Sequence, residues 1–150
     1  MTGKAIDATG SCLCGAVKYR AKLKSAAGAC HCGMCRKWSA GPFMSAHAQG
    51  EVEFHGADQI AEYQSSEWAA RGFCKSCGSS LYYHLKPRPE VPDGEYILSA
   101  GTVDDQSILR FEHEVYVDGA PGWYRFADDE SRQRMTEAQI LEMFAPDESR

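Results

Sequence analysis

The sequence predicts a mainly β protein, a sandwich of short strands with one short helix near the C-terminus. Three observations carry that expectation. Short segments rich in aromatic and β-branched residues recur along the chain between Gly, Pro, Asp and Ser punctuation. No long helical periodicity intervenes between them. The one helix signature comes late, at residues 136–144. A chain of 150 residues can bury one core without disulfides, so a single domain over residues 1–150 is expected.

The first element is the stretch "GSCLCGAVKYRAKLK", where Leu13, Val17, Tyr19, Ala21 and Leu23 share one parity and Lys18, Arg20, Lys22 and Lys24 the other. That alternation reads as a half-buried strand. If it runs straight through, Cys12 and Cys14 point away from the apolar stripe. Shorter strands are expected at "EVEFHG", "IAEYQSS", "ARGFC", "SSLYYHL", "GEYILSAG" and "LRFEHEVYV". The loop "KPRPEVPDGE", with its three prolines and one glycine, reads as a surface connection, because strand signals resume directly after it. The helix is expected to start at Thr136, whose hydroxyl can form a capping box with Gln139 ahead of an apolar stripe of Ile140, Met143 and Phe144.

Composition excludes several function classes. The net charge is -5 and the charged residues are spread along the chain, which argues against a surface built to neutralise nucleic-acid phosphates. No run approaches the roughly 18 apolar residues of a membrane-spanning helix. The opening "MTGKAIDATG" has no apolar core of a secretory leader, so a cytoplasmic protein is expected.

Seven cysteines in a reducing compartment point to metal ligands or reactive thiols rather than disulfides. Cys12/Cys14, Cys30/Cys32/Cys35 and Cys74/Cys77 all have the one- or two-residue spacing that brings sulfurs together at little entropic cost. Gly15 and Gly78, each directly after a cysteine pair, suit the tight turns that aim thiolates at one ion. Zinc is the leading ion and iron–sulfur the main rival, since both take sets of soft thiolates. Seven ligands divide naturally into four and three, and a three-ligand site keeps an open coordination position, the mark of a catalytic zinc. Spacing leaves open which cysteines form the four. His31 could close the second site, although its position between two ligands on alternate residues turns it away from their metal; its other reading is a surface residue or one packed behind the ligands.

On "GSCLCGAVKY", "CHCGMCRKWSAG" and "FCKSCGSSLYY", together with "FEHEVYVDGAPGWYRF" around Trp123 and Tyr124, the chain resembles the glutathione-dependent formaldehyde-activating family, also called GFA or CENP-V-like. These motifs run from about residue 10 to residue 126, with the helical tail after them. The resemblance implies an Mss4-like zinc-binding β-sandwich. It also implies a structural zinc on Cys12, Cys14, Cys74 and Cys77 and a catalytic zinc on Cys30, Cys32 and Cys35, the latter a three-cysteine site that can lose its metal during purification. The implied activity is that of a carbon–sulfur lyase, acting on a glutathione–formaldehyde adduct such as S-hydroxymethylglutathione, with glutathione as cosubstrate.

Three thiolates on one Zn²⁺ leave a net negative charge, so such a zinc acidifies water weakly and suits a soft fourth ligand such as a substrate thiolate. Arg36 and Lys37, directly after the last ligand, are candidate contacts for the carboxylates of glutathione. Arg71 precedes the other CxxC as a further cation, and Trp38 is either a pocket wall or core. His47, His55, His84 and His113 are candidate proton donors, none standing out. The competing readings are a non-enzymatic Mss4-like zinc module that binds a protein partner, a methionine sulfoxide reductase-like fold lacking the extra redox cysteine, and a dithiol enzyme using "CGMC" without metal.

Overall fold

The computed structural model describes residues 5–89 and 91–144. They form two compact units, one of the described residues up to Ala27 with Ser45–Arg110, the other of Gly28–Met44 with the described residues from Phe111 onward. Strands dominate the first and the described residues as a whole, and the short C-terminal helix is present in the second.

In the first unit, strand β1 (Ala5–Ser11) pairs antiparallel with β2 (Lys18–Cys30), in a register running from Ala5 opposite Lys24 to Ser11 opposite Lys18. Strand β2 enters the second unit at Gly28. Its next neighbour is β3 (Phe43–Ala48), and β4 (Glu53–His55) pairs antiparallel with its first residues. A run of antiparallel strands continues from β3 through β8 (Glu95–Ser99), β7 (Ser80–Leu85) and β6 (Ala69–Cys74) to β5 (Ile60–Gln64) at the edge. Val17, Tyr19, Ala21 and Leu23 are buried as their shared parity requires, packed with Leu81, Leu98, Cys12 and Cys74. The six shorter strand expectations all form, as β4 to β9.

The first strand does not run straight through. Its chain turns at residues 13–17, leaving Leu13 89% exposed and Cys12 buried in the core cluster. The expectation that both cysteines point away from the core is corrected for Cys12: a turn, unlike a strand, has no parity to preserve. Strands β1 and β3 and helix α1 (Gly33–Ser39) carried no recognised sequence signal. In "AIDATGS" the β-branched Ile6 and Thr9 are diluted by Ala, Asp, Gly and Ser, which weakens the strand signal.

The second unit holds the end of β2, α1, most of β9 (Arg110–Val115), β10 (Gln133–Met135) parallel to β9, and α2 (Glu137–Phe144). Gly28 has no room for a side chain, because a Cβ there would strike the ring of His113 on β9. Helix α2 opens with the expected capping box: the Gln139 N–H donates to the Thr136 hydroxyl (3.3 Å), and Gln139 Oε1 accepts from the Thr136 N–H (2.8 Å). The Glu137 N–H also donates to Asp118 (2.9 Å), tying α2 to the turn Val117–Gly119. Of the expected apolar stripe, Ile140 is buried but Met143 is exposed, so the helix buries less than its pattern suggested; the side chain of Phe144 lies outside the described residues.

Gly72 on β6 lies under the ring of Tyr82 on β7, where a Cβ would overlap ring atoms. Tyr82 cannot swing aside cheaply: its hydroxyl donates to Glu62 (2.6 Å) and its ring meets Tyr96 edge-on at 4.9 Å. Gly72→Ala is expected to cost about 1–3 kcal/mol through overpacking, read as a lowered thermal unfolding midpoint.

Candidate functional site

The seven cysteines converge as two groups, Cys12, Cys14, Cys74 and Cys77 in the first unit and Cys30, Cys32 and Cys35 in the second, with the sulfurs of each group within 4.8 Å of one another. This is the four-plus-three division, and each group fits a metal.

The four-cysteine group is built from two similar turns. After Cys12 the chain reverses through Gly15 (φ 81°), whose N–H donates to the Cys12 carbonyl at 3.2 Å; after Cys74 it reverses through Gly78 (φ 80°), whose N–H donates to the Cys74 carbonyl at 2.8 Å. Both glycines sit where a side chain is strained, so the turns need them. The Leu13 N–H donates to the Ser79 hydroxyl (3.0 Å), joining one turn to the other. Sulfur separations of 3.7 Å for Cys12–Cys14 and 3.9 Å for Cys14–Cys74 far exceed a disulfide bond and match the edge of about 3.8 Å expected of a tetrahedral zinc–thiolate site.

The electrostatics show the same crowding. Bonding to the Ser79 hydroxyl and N–H lowers the Cys77 thiol to about 5. Cys14 goes the other way, to about 11: the Ala16 N–H favours its thiolate, but lost hydration and the neighbouring sulfurs outweigh it. Four thiols this close compete for negative charge, and a bound dication relieves that competition.

The three-cysteine group sits where β2 ends and α1 begins. Cys30 is the last residue of β2, Cys32 is the N-cap of α1 and accepts the Cys35 N–H on its sulfur (3.3 Å), and Cys35 is buried within the helix. The close approach of Cys32 and Cys35, followed by burial, pushes the Cys30 thiol up. Of the two candidate cations, Arg36 is half-buried with its Nε donating to the His31 carbonyl (3.1 Å), while Lys37 is exposed. Trp38 is half-buried.

His31 is neither a ligand nor a surface residue. It is buried and held through both ring nitrogens, Nε2 against Glu114 Oε1 and Nδ1 against the Tyr124 hydroxyl, each at 2.8 Å. Glu114 also accepts from Arg132 Nε on its other oxygen at 2.7 Å. Burial alone would raise the Glu114 carboxyl, but Arg132 and His31 hold it below its ordinary value. Burial holds the Tyr124 phenol above its ordinary value against the opposing charge of Arg36, with Cys30 and Glu114 adding to the rise. Glu114, Arg132 and Tyr124 were not anticipated as partners of His31. They lie 83 to 101 positions from it, and strand alternation could not say that a glutamate on β9 faces inward.

The remaining candidates have other places. His47 pairs with Glu95 (2.8 Å), His55 is exposed beside Glu53, and His84 stacks on Tyr96 at 4.1 Å, all in the first unit. His113 is buried in the second unit over Gly28. Arg71 is buried in the first unit, bonded to Ser65 and lying over the Tyr83 ring, the setting of a structural cation.

Comparison with known proteins agrees with these motifs. The model of the glutathione-dependent formaldehyde-activating enzyme family matches residues 7–119. A Schizosaccharomyces pombe protein named as an uncharacterized lyase is 30% identical over 81% of this chain and 87% of its own length. A Halomonas elongata protein, named provisionally as a glutathione-dependent formaldehyde-activating enzyme, is 30% identical over 55% of this chain and 59% of its own length. With the family model spanning well over half of its length, this chain belongs to the glutathione-dependent formaldehyde-activating family.

Proposed function

We propose that this chain is a zinc-dependent carbon–sulfur lyase that makes and breaks the adduct of glutathione with a small aldehyde such as formaldehyde, in the cytoplasm. The observation that carries the reading is the convergence of Cys30, Cys32 and Cys35 with no fourth protein ligand grouped with them among the described residues. A zinc held there supplies a soft electrophilic centre that favours a fourth sulfur in its ionised form. Cys12, Cys14, Cys74 and Cys77 hold a second, structural zinc.

The reaction forms the S–C bond as the carbonyl π bond opens, and the thiol proton ends on the former carbonyl oxygen; the lyase direction reverses both changes. The chain's residues hold the reactants. The three cysteines fix where the substrate sulfur sits, and orientation of this kind removes much of the entropic barrier to a two-component addition. Arg36 and Lys37, which follow the last cysteine, would contact the carboxylates of glutathione; the Arg36 Nε donates to the His31 carbonyl, which restrains its guanidinium.

Two zinc ions per chain are expected in the native protein, one for each cysteine group. Cys32→Ala should keep a cooperative unfolding transition, lose one zinc and lose adduct turnover. Cys74→Ala should lose the folded state, because it removes a ligand that closes a loop across 60 positions to Cys14. Native mass spectrometry, thermal unfolding and turnover of a glutathione–formaldehyde mixture read all three. Equal loss of folding in both variants would make the second site structural, and a zinc-replete protein inert towards the mixture would favour the partner-binding module instead.

A further inference from the structure

The outer face of β1, β2 and β4, in the first unit, carries a cavity of about 350 Å³ that includes no cysteine. Thr9, Ser11, Lys18, Arg20, His55 and Asp104 line it. Strand register explains how these side chains meet. Ser11 stands opposite Lys18, which stands opposite His55, in one cross-strand row; Thr9, Arg20 and Glu53 make the next. The second row extends past β1, because the Asp104 N–H donates to the Thr9 carbonyl at 2.9 Å. Tyr19 is buried between Lys18 and Arg20, so both cations project outward on the exposed parity.

Charge is balanced on one part of this face and unbalanced on the rest. Lys22, next on the same parity, stands opposite Asp7 and pairs with it at 3.1 Å. Opposite Arg20 and Lys18, β1 offers only the hydroxyls of Thr9 and Ser11. The two carboxylates close by are engaged elsewhere: Asp104 Oδ2 accepts the Thr9 hydroxyl at 2.8 Å, and Glu53 Oε1 lies 3.1 Å from His55 Nε2. Among the described residues neither Lys18 nor Arg20 has a carboxylate within ion-pair distance. Two cations about 7 Å apart along one strand thus face a cavity, in a chain whose net charge is -5.

That arrangement sets the chemistry of a ligand. The guanidinium and ammonium groups are charge-assisted donors for one oxyanion, with the Ser11 hydroxyl beside them. Thr9 bonds only Oδ2 of Asp104, so Oδ1 still accepts, and a ligand hydroxyl brings the proton it needs. Asp104 and Arg20 lie two strand spacings apart, about 10 Å between backbones, which leaves room for a ligand a few atoms long. A volume of about 350 Å³ exceeds what a bare phosphate ion fills and falls in the range of small-molecule sites.

We propose that this cavity is a binding site for a small hydroxylated organic anion, a phosphate ester or a hydroxycarboxylate, whose oxyanion sits between Lys18 and Arg20 and whose hydroxyl bonds Asp104. The site is independent of the glutathione reading: it shares no residue with the three-cysteine group or with Arg36 and Lys37.

The test is titration of the zinc-loaded chain with glycerol 3-phosphate, glycerate, inorganic phosphate and glycerol, followed by amide NMR shifts. One of the two organic anions is expected to bind about fivefold more tightly than inorganic phosphate, the effect of one added hydrogen bond, and glycerol not at all. The shifts should centre on residues 9–11 and 18–20 and on Asp104. Whichever organic anion binds more tightly identifies the oxyanion. Lys18→Gln and Arg20→Gln should each weaken it about tenfold, whereas Lys22→Gln, on the same face but paired with Asp7, should leave it unchanged. Asp104→Ala should erase the preference over inorganic phosphate. All four side chains are exposed, so these substitutions leave the fold intact. Inorganic phosphate bound as tightly as both organic anions would mark an adventitious ion only and overturn the proposal. Equal weakening by all three charge variants, the mark of a diffuse field, would overturn it too, as would failure of both organic anions to bind. A preference that survives Asp104→Ala would overturn the part given to Asp104.

Discussion

Thiol groups held within van der Waals reach of one another cannot all carry negative charge without a cation between them. That constraint shapes the chemistry of both cysteine groups. In the four-cysteine group, lost hydration and the neighbouring sulfurs raise Cys14 to about 11, while bonding to Ser79 lets Cys77 fall to about 5. In the three-cysteine group the same crowding drives Cys30 upward. A bound dication would relieve the crowding in both groups.

The backbone meets that constraint differently in the two places. In the first unit, two glycine turns stand their cysteines against each other and against the core, where Cys12 and Cys74 pack with Val17, Leu81 and Leu98. An ion held there would be a core element as well as a crosslink. In the second unit, a strand end and the first turn of a short helix supply the sulfurs, and side-chain bonding behind them fixes the intervening His31. A group supported this way can keep its shape with a coordination position left for a substrate sulfur.

Much of this was legible in the sequence wherever a local rule applied. Strict alternation placed Val17, Tyr19, Ala21 and Leu23 in the core, and the Thr136–Gln139 capping box appears as read. Cysteine spacing identified all the grouped sulfurs, while their assignment to two sets came from the family resemblance and is matched by the geometry. Local rules failed where structure depends on distant partners. Leu13 belongs by parity to the buried stripe but sits at a turn joined to Ser79, 66 residues away. Helix α1 was hidden because seven residues give too little periodicity to register. The Arg132–Glu114–His31–Tyr124 chain draws its members from separate segments, and no short motif announces it.

The central claim, one zinc closed by four sulfurs and another that keeps a place for the thiol of glutathione, is tested most directly by zinc K-edge X-ray absorption on the native protein before and after glutathione is added. The expected spectrum before addition is sulfur-dominated with a minor light-atom shell, since seven cysteines serve two ions; glutathione should replace that shell with sulfur. A first shell containing histidine nitrogen, or a spectrum that glutathione leaves unchanged, would contradict it.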